Sequence, residues 1–167
     1  MIQLVRVDGR LIHGMVAVTW CGMYRPDIMV VVNDEAANNE FHTMTLKLAK
    51  PAGVDKCFVW TKEKAIERLN SDKYNNKKLF ITVATVEDAY YLAKNCPSVK
   101  NVNIGPEVDG TDGRVTTGKV EISDGVYINE AKYNLLKELN DNGVEVFAQV
   151  TTAMPKVEWK DIATKFN

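Results

Sequence analysis

Nine residues, Arg6-Val7-Asp8-Gly9-Arg10-Leu11-Ile12-His13-Gly14, hold two of the chain's five arginines and one of its two histidines. These residue types suit phosphoryl chemistry. A neutral imidazole is a competent nucleophile near pH 7, because its unperturbed pKa is about 6.5. Attack by His13 on phosphorus would give a phosphohistidine whose oxygens need donors. Arg10 offers a planar guanidinium fork that matches a phosphoryl group. Gly14 stands where a helix should begin, and the first turn of a helix presents unpaired N–H groups and a positive dipole end. Gly9 and Gly14 permit tight backbone turns. Asp8 is placed either to orient the imidazole or to steer Arg10. One ring nitrogen must stay free to attack and the other should be fixed by a hydrogen bond. Residue types alone do not say which. Transfer of this kind asks for positioning and charge stabilisation and little else.

Such a loop must sit at the end of a strand, and the chain supplies strands in alternation with helices. Residues 2–7 form a short β-rich run, and residues 11–24 read as a buried helix with little charge. Residues 28–32 (I-M-V-V-V) are continuously apolar, as in a parallel strand covered on both faces. The pattern then predicts a helix over 36–48, a strand over 56–60 and a helix to about 69 with Thr61 as its cap. A polar turn over 70–78, a strand over 79–83 and a helix over 85–94 follow, then a strand over 101–104. After an irregular stretch over 105–118 come a helix over 129–140, which Asn129 can cap, a strand over 144–150, and a short amphipathic helix over 156–166. This alternation predicts an α/β fold: an open, mostly parallel twisted sheet with helices on both faces, an antiparallel strand being allowed at its edge. One domain is expected over residues 1–167. In such sheets ligands sit at the carboxyl ends of the strands, where the His13 loop belongs.

Composition removes competing classes. Lys plus Arg number 21 and Asp plus Glu 22, a net charge of −1, which argues against a surface built for nucleic acid. A charge at Arg6 comes too early for a signal peptide. No apolar run approaches the roughly 18 residues of a membrane span. Cys21, Cys57 and Cys96 are odd in number and widely spaced, so reduced thiols are expected, and two histidines make a histidine metal site unlikely to form. No cofactor motif is present. Gly113 to Val120 narrowly misses a P-loop, because Val120 stands where a hydroxyl is needed. Asp109 to Gly113 fails the calcium-loop spacing, whose twelfth position would again be Val120. Trp20 and Trp60 read as core, Trp159 as a candidate docking residue, and His42 as an ordinary helical histidine. Lys62, Lys64 and Arg68 read as a solvated basic face.

The run R-V-D-G-R-L-I-H-G-M-V over residues 6–16, followed by A-V-T-W ending at Trp20, resembles the phosphorylated segment of one protein family. That family is the IIB component of the mannose/fructose/sorbose class of the bacterial sugar phosphotransferase system. V-V-N-D-E at 31–35, N-I-G at 103–105, and L-K-E-L and G-V-E-V within 136–146 are similar to its later motifs. The resemblance implies a phosphohistidine–sugar phosphotransferase with no cofactor or metal. His13 would be phosphorylated by a IIA phosphocarrier protein, then donate to a hexose or amino sugar entering through membrane IIC and IID components. It implies a cytoplasmic protein associated peripherally with the inner-membrane transporter. Arg10, Asp8 and Gly14 carry over as the phosphate-holding loop. Arg6, Asn33 and Asp34 carry over more weakly, as neighbours at the same sheet edge. Three departures stand out: Met15 replaces the family's usual Gln, Pro106 and Glu107 follow Gly105, and Val150-Thr151-Thr152 replaces the usual continuation of the last strand. Glu107 would repel a phosphoryl group if it faced the site. An alternative is therefore a divergent regulatory or binding homologue with impaired transfer. A third reading is an unrelated α/β enzyme using His13 as an acid or base.

Overall fold

The computed structural model describes residues 1–107 and 116–167. Nine strands are found among them: β1 (Ile2–Val7), β2 (Ile28–Val32), β3 (Lys56–Trp60), β4 (Leu79–Val83), β5 (Asn101–Ile104), β6 (Val120–Ser123), β7 (Val126–Ile128), β8 (Glu145–Ala148) and β9 (Val157–Glu158). The first helix, α1 (Cys21–Tyr24), continues a π-helical turn over Val16–Trp20. The others are α2 (Asp34–Ala37), α3 (Glu40–Leu48), α4 (Lys62–Leu69), α5 (Val86–Asn95), α6 (Glu130–Asp141) and α7 (Trp159–Ala163).

Seven strands make one sheet in the order β3-β2-β4-β1-β5-β8-β9. All its pairings are parallel except β8 with β9, an antiparallel strand at the edge. β2 and β4 are buried at every position, as continuous apolar runs require when both faces are covered. One face packs Val5, Val30, Ile81 and Val102 under α4, α5 and α6; the other packs Leu4, Met29, Val31 and Phe80 under α1 and α3. β1 is central, between β4 and β5, so the residues after Val7 emerge at the middle of the sheet's carboxyl edge.

Helix starts follow the caps visible in the sequence. Thr61, Thr85 and Asn129 each accept a hydrogen bond from the backbone N–H three residues on. The helix expected over 36–48 is two helices, because Asn39 turns its side chain onto His42 N–H and restarts the chain. Asn side chains compete with helical backbone in this way. The hairpin β6–β7 was not foreseen, although Asp124-Gly125 is a strong hairpin signal and Gly125 adopts a φ of 73°. The helix expected over 156–166 is shorter and follows β9. Its Trp159, half-buried, stacks its ring on Tyr133 at 5.4 Å.

The calcium-loop reading at Asp109 to Gly113 lies outside the described residues, as do the first three residues of the P-loop near miss, 113–115. Among the described residues, no helix is long and apolar enough to cross a membrane, and no group of three His, Cys, Asp or Glu could hold a metal ion. The three cysteines are free thiols, and burial pushes each up to about 11.

Candidate active site

The loop after β1 is pinned on both sides. Asp8 N–H donates to the Val83 carbonyl of β4 at 2.9 Å, and Gly9 N–H donates to the Pro106 carbonyl after β5 at 2.9 Å. Leu11 N–H closes a turn onto the Asp8 carbonyl, also at 2.9 Å. That turn puts Leu11 at φ 59°, in the left-handed region. For a non-glycine residue this costs about 1–2 kcal/mol. The Leu11 side chain is buried beneath the helix that follows, which offsets the strain. The result places His13 at the threshold of that helix, whose first bond runs from Ala17 N–H to the His13 carbonyl at 2.9 Å. The amides following His13 thus lie in the unpaired first turn. The π-helical turn that succeeds it is a rare conformation, found frequently at functional sites.

Asp8 is the hub. Its carboxylate is fully buried. One oxygen, Oδ2, accepts from Arg6 Nη2 at 2.9 Å and faces His13 Nε2 at 3.0 Å. The other, Oδ1, accepts from the Arg10 backbone N–H at 3.1 Å. An ionised carboxylate only accepts hydrogen bonds. His13 therefore carries its proton on Nε2, and the lone pair of the neutral ring is on Nδ1. The imidazole remains 17% exposed, accessible from outside but held from within. Both roles open to Asp8 are filled at once: it orients the ring and fixes the backbone at Arg10.

Arg6 departs from its expected place beside the phosphate. It is fully buried. Beyond Asp8, Nη1 donates to Asn103 Oδ1 and to the Gln149 carbonyl at 3.0 Å, and Nη2 donates to the Val150 carbonyl at 3.1 Å. Its guanidinium carbon lies 4.6 Å from the centre of the Trp20 ring, whose indole N–H shares the Val150 carbonyl at 3.1 Å. Burial lowers the Arg6 pKa, with the charge of Arg10 adding to the effect, while Asp8 opposes it through its charge and its hydrogen bond. A guanidinium so enclosed does not reach a phosphoryl group; it braces Asp8.

Arg10 is the reverse. It is exposed, and among the described residues its guanidinium has no hydrogen bond or ion pair. Gly14 is also exposed, and a Cβ added there would meet nothing within 4 Å. Asn33 and Asp34 share the carboxyl edge but follow β2, which lies two strand spacings or roughly 10 Å from β1. Asn33 caps α2 through Ala36 N–H at 2.9 Å, and Asp34 accepts from Lys62 N–H at 2.8 Å. Their side chains brace helices rather than the His13 loop.

Glu107 does not oppose the site. Oε1 accepts from Val86 N–H at the start of α5, at 2.6 Å, and Oε2 pairs with Lys132 of α6. Pro106, the other departure after Gly105, contributes the carbonyl that holds Gly9.

Four supporting residues had no role in the site assigned from the sequence: Trp20 and Asn103 with their side chains, and Gln149 and Val150 with their carbonyls. Asn103 carried a signal, being a polar residue inside a central apolar strand. Gly105 had a reason that only packing shows. A Cβ there would lie 2.6 Å from the Val7 carbonyl and 2.7 Å from Arg6 Nη2.

A mostly parallel sheet with helices on both faces is the fold of solved phosphotransferase-system IIB domains. The fold matches the IIB domain of the sorbose permease from Klebsiella pneumoniae with a TM-score of 0.85, at 24% identity, covering 100% of this chain and 98% of that one. The sequence places the chain within that class. Residues 2–167 match the family described as PTS system sorbose subfamily IIB component, and the chain belongs to it. A probable phosphotransferase enzyme IIB component of Streptococcus pyogenes serotype M6 is 37% identical over 158 residues, 94% of this chain and 96% of that protein. The mannose-specific EIIAB component of Escherichia coli strain K12 is 28% identical over 166 residues, 99% of this chain but 49% of that longer protein. The chain is accordingly a IIB component of the sorbose/mannose class, a transferase family of sugar transport.

Proposed function

We propose that residues 1–167 act as one phosphocarrier domain, with Nδ1 of His13 as the atom that carries the phosphoryl group. The donor is the phosphohistidine of a IIA protein. Its N–P bond breaks as the bond to Nδ1 forms, and Nε2 keeps its proton against Asp8 throughout. Charge that develops on the ring is met by the Asp8 carboxylate. Arg10 and the amides of the helix start at Gly14 receive the phosphoryl oxygens. In the second half-reaction a hydroxyl of a hexose or amino sugar attacks phosphorus and gives up its proton to solvent, the bond from Nδ1 to phosphorus breaks, and His13 leaves as the neutral ring. The sugar is presented by membrane IIC and IID components, at whose cytoplasmic face the protein docks peripherally. A mannose-specific relative that joins A and B components in one chain supports a IIA partner for this one.

The observation carrying this reading is the 3.0 Å contact between His13 Nε2 and Asp8, which leaves the other ring nitrogen free. The test is incubation with phosphoenolpyruvate, the general phosphotransfer proteins and a matching IIA. Acid-labile phosphate should appear on the wild-type protein and be absent from His13→Gln. No label in the presence of a competent IIA would instead assign the chain to the regulatory alternative. Glu107, the departure that favoured that alternative, is engaged by α5 and α6.

A further inference from the structure

A cavity of about 570 Å³ opens beside the edge strand β3, bounded by α4 and the short 3-10 turn at Asp72–Tyr74. β3 stands three strand spacings from β1, roughly 14 Å, so this cavity is separate from the His13 loop. Its size lies within the range of small-molecule sites. Three aromatic rings line it. Phe58 and Trp60 stack with centroids 5.0 Å apart and planes 15° apart, and Tyr74 tilts against them at 6.1 and 5.8 Å. Phe58 and Tyr74 remain partly exposed, so they offer ring surface to a ligand.

The rim is cationic. Lys56, Lys64, Arg68, Lys73 and Lys77 all border the cavity, against one acid, Asp55. Asp55 engages Lys77 at 3.6 Å, and Arg68 makes only a 3.8 Å contact with the exposed Glu67. Lys56 and Lys64 have no acidic partner among the described residues, and Lys73 only overhangs the Tyr74 ring. In a chain of net charge −1 this concentration is local. It also differs from the basic face read in the sequence. Lys62 leaves that group to pair with Asp34 and Asp88, whereas Lys64 and Arg68, one turn apart on α4, face the aromatic floor.

We propose that this cavity binds a nucleoside phosphate, with its base against Phe58 and Tyr74 and its phosphate between Lys64 and Arg68. Stacking on aromatic rings suits any base, and guanidinium and ammonium groups suit the phosphate. A concave site of this volume encloses a small ligand, whereas an acidic protein segment would need a longer groove and no ring platform.

Titration calorimetry on the full chain tests the assignment, with adenosine mono- and diphosphate, glucose 6-phosphate, inorganic phosphate and a ten-residue polyglutamate as probes. Saturable one-site binding of a nucleotide in the sub-millimolar range is expected. It should weaken about tenfold or more in Lys64→Glu/Arg68→Glu, since two charge-assisted contacts are lost. His13 phosphorylation should be unchanged in that variant. Phe58→Leu, which keeps an apolar side chain and removes the ring, should weaken the nucleotides more than inorganic phosphate. Arg10→Ala should leave nucleotide binding intact. The proposal fails if no nucleotide binds up to about 5 mM, a free energy of only about 3 kcal/mol. It also fails if inorganic phosphate or glucose 6-phosphate binds as tightly as the nucleotides, if only the acidic peptide binds, or if Arg10→Ala abolishes binding while the α4 variant retains it.

Discussion

Arg6, on β1, and Arg10, in the loop that follows it, live in opposite halves of the site. The Arg6 half is dry: a fully buried guanidinium against a fully buried carboxylate, closed by Asn103, two carbonyls and the Trp20 ring. The Arg10 half is open: an exposed guanidinium with no partner among the described residues, and an exposed Gly14 at the start of the helix. A charge neutralised inside the protein holds geometry, and a charge left without a partner at the surface is available for a ligand. The comparison makes a separable claim about variants. Substitutions in the buried half should cost stability first, and those in the open half should cost transfer with the fold untouched.

Arg6→Met should give the largest loss of stability. It leaves the Asp8 carboxylate buried without its cation, a change that costs about 3–5 kcal/mol. Urea denaturation reads this directly, and a loss below 1 kcal/mol would mean that Arg6 does not brace the hub. Gly105→Ala comes next. Its new methyl group must displace either the Val7 carbonyl or the Arg6 guanidinium, and overpacking of this kind costs about 1–3 kcal/mol. Calorimetric melting would show it, and an unshifted melting temperature would show that the β5 end can retreat. Arg10→Ala should have the smallest effect on stability, within about 0.5 kcal/mol, as for other exposed positions. It should nonetheless slow phosphoryl transfer to His13 by roughly ten- to thousandfold, the loss expected from removing an electrostatic clamp. Rapid-quench labelling from phosphorylated IIA measures that rate, and an unchanged rate would remove Arg10 from the site.

Much of the framework was legible. The run I-M-V-V-V at 28–32 and the run L-F-I-T-V at 79–83, apolar but for Thr82, are strands of a sheet covered on both faces, which buries every successive side chain. Thr61, Thr85 and Asn129 announce helices because their side-chain oxygens satisfy amides that a helix leaves open. The candidate loop was legible too, from the crowding of Arg, Asp, Gly and His after a strand. The break at Asn39 and the hairpin at Asp124-Gly125 were missed. In each, a short polar side chain or a glycine redirects the backbone against an otherwise continuous pattern.

Spacing along the chain gathered an imidazole, two arginines and a carboxylate within nine residues around the end of β1, because local sequence fixes where a strand stops and a helix starts. It could not determine which arginine turns inward or which imidazole nitrogen is free. Arg6 is enclosed by Asn103, 97 residues away, and by the Gln149 carbonyl, 143 residues away. Only packing β5 and β8 alongside β1 brings those groups near, and only then does desolvation separate the arginine that supports from the arginine that is left to bind.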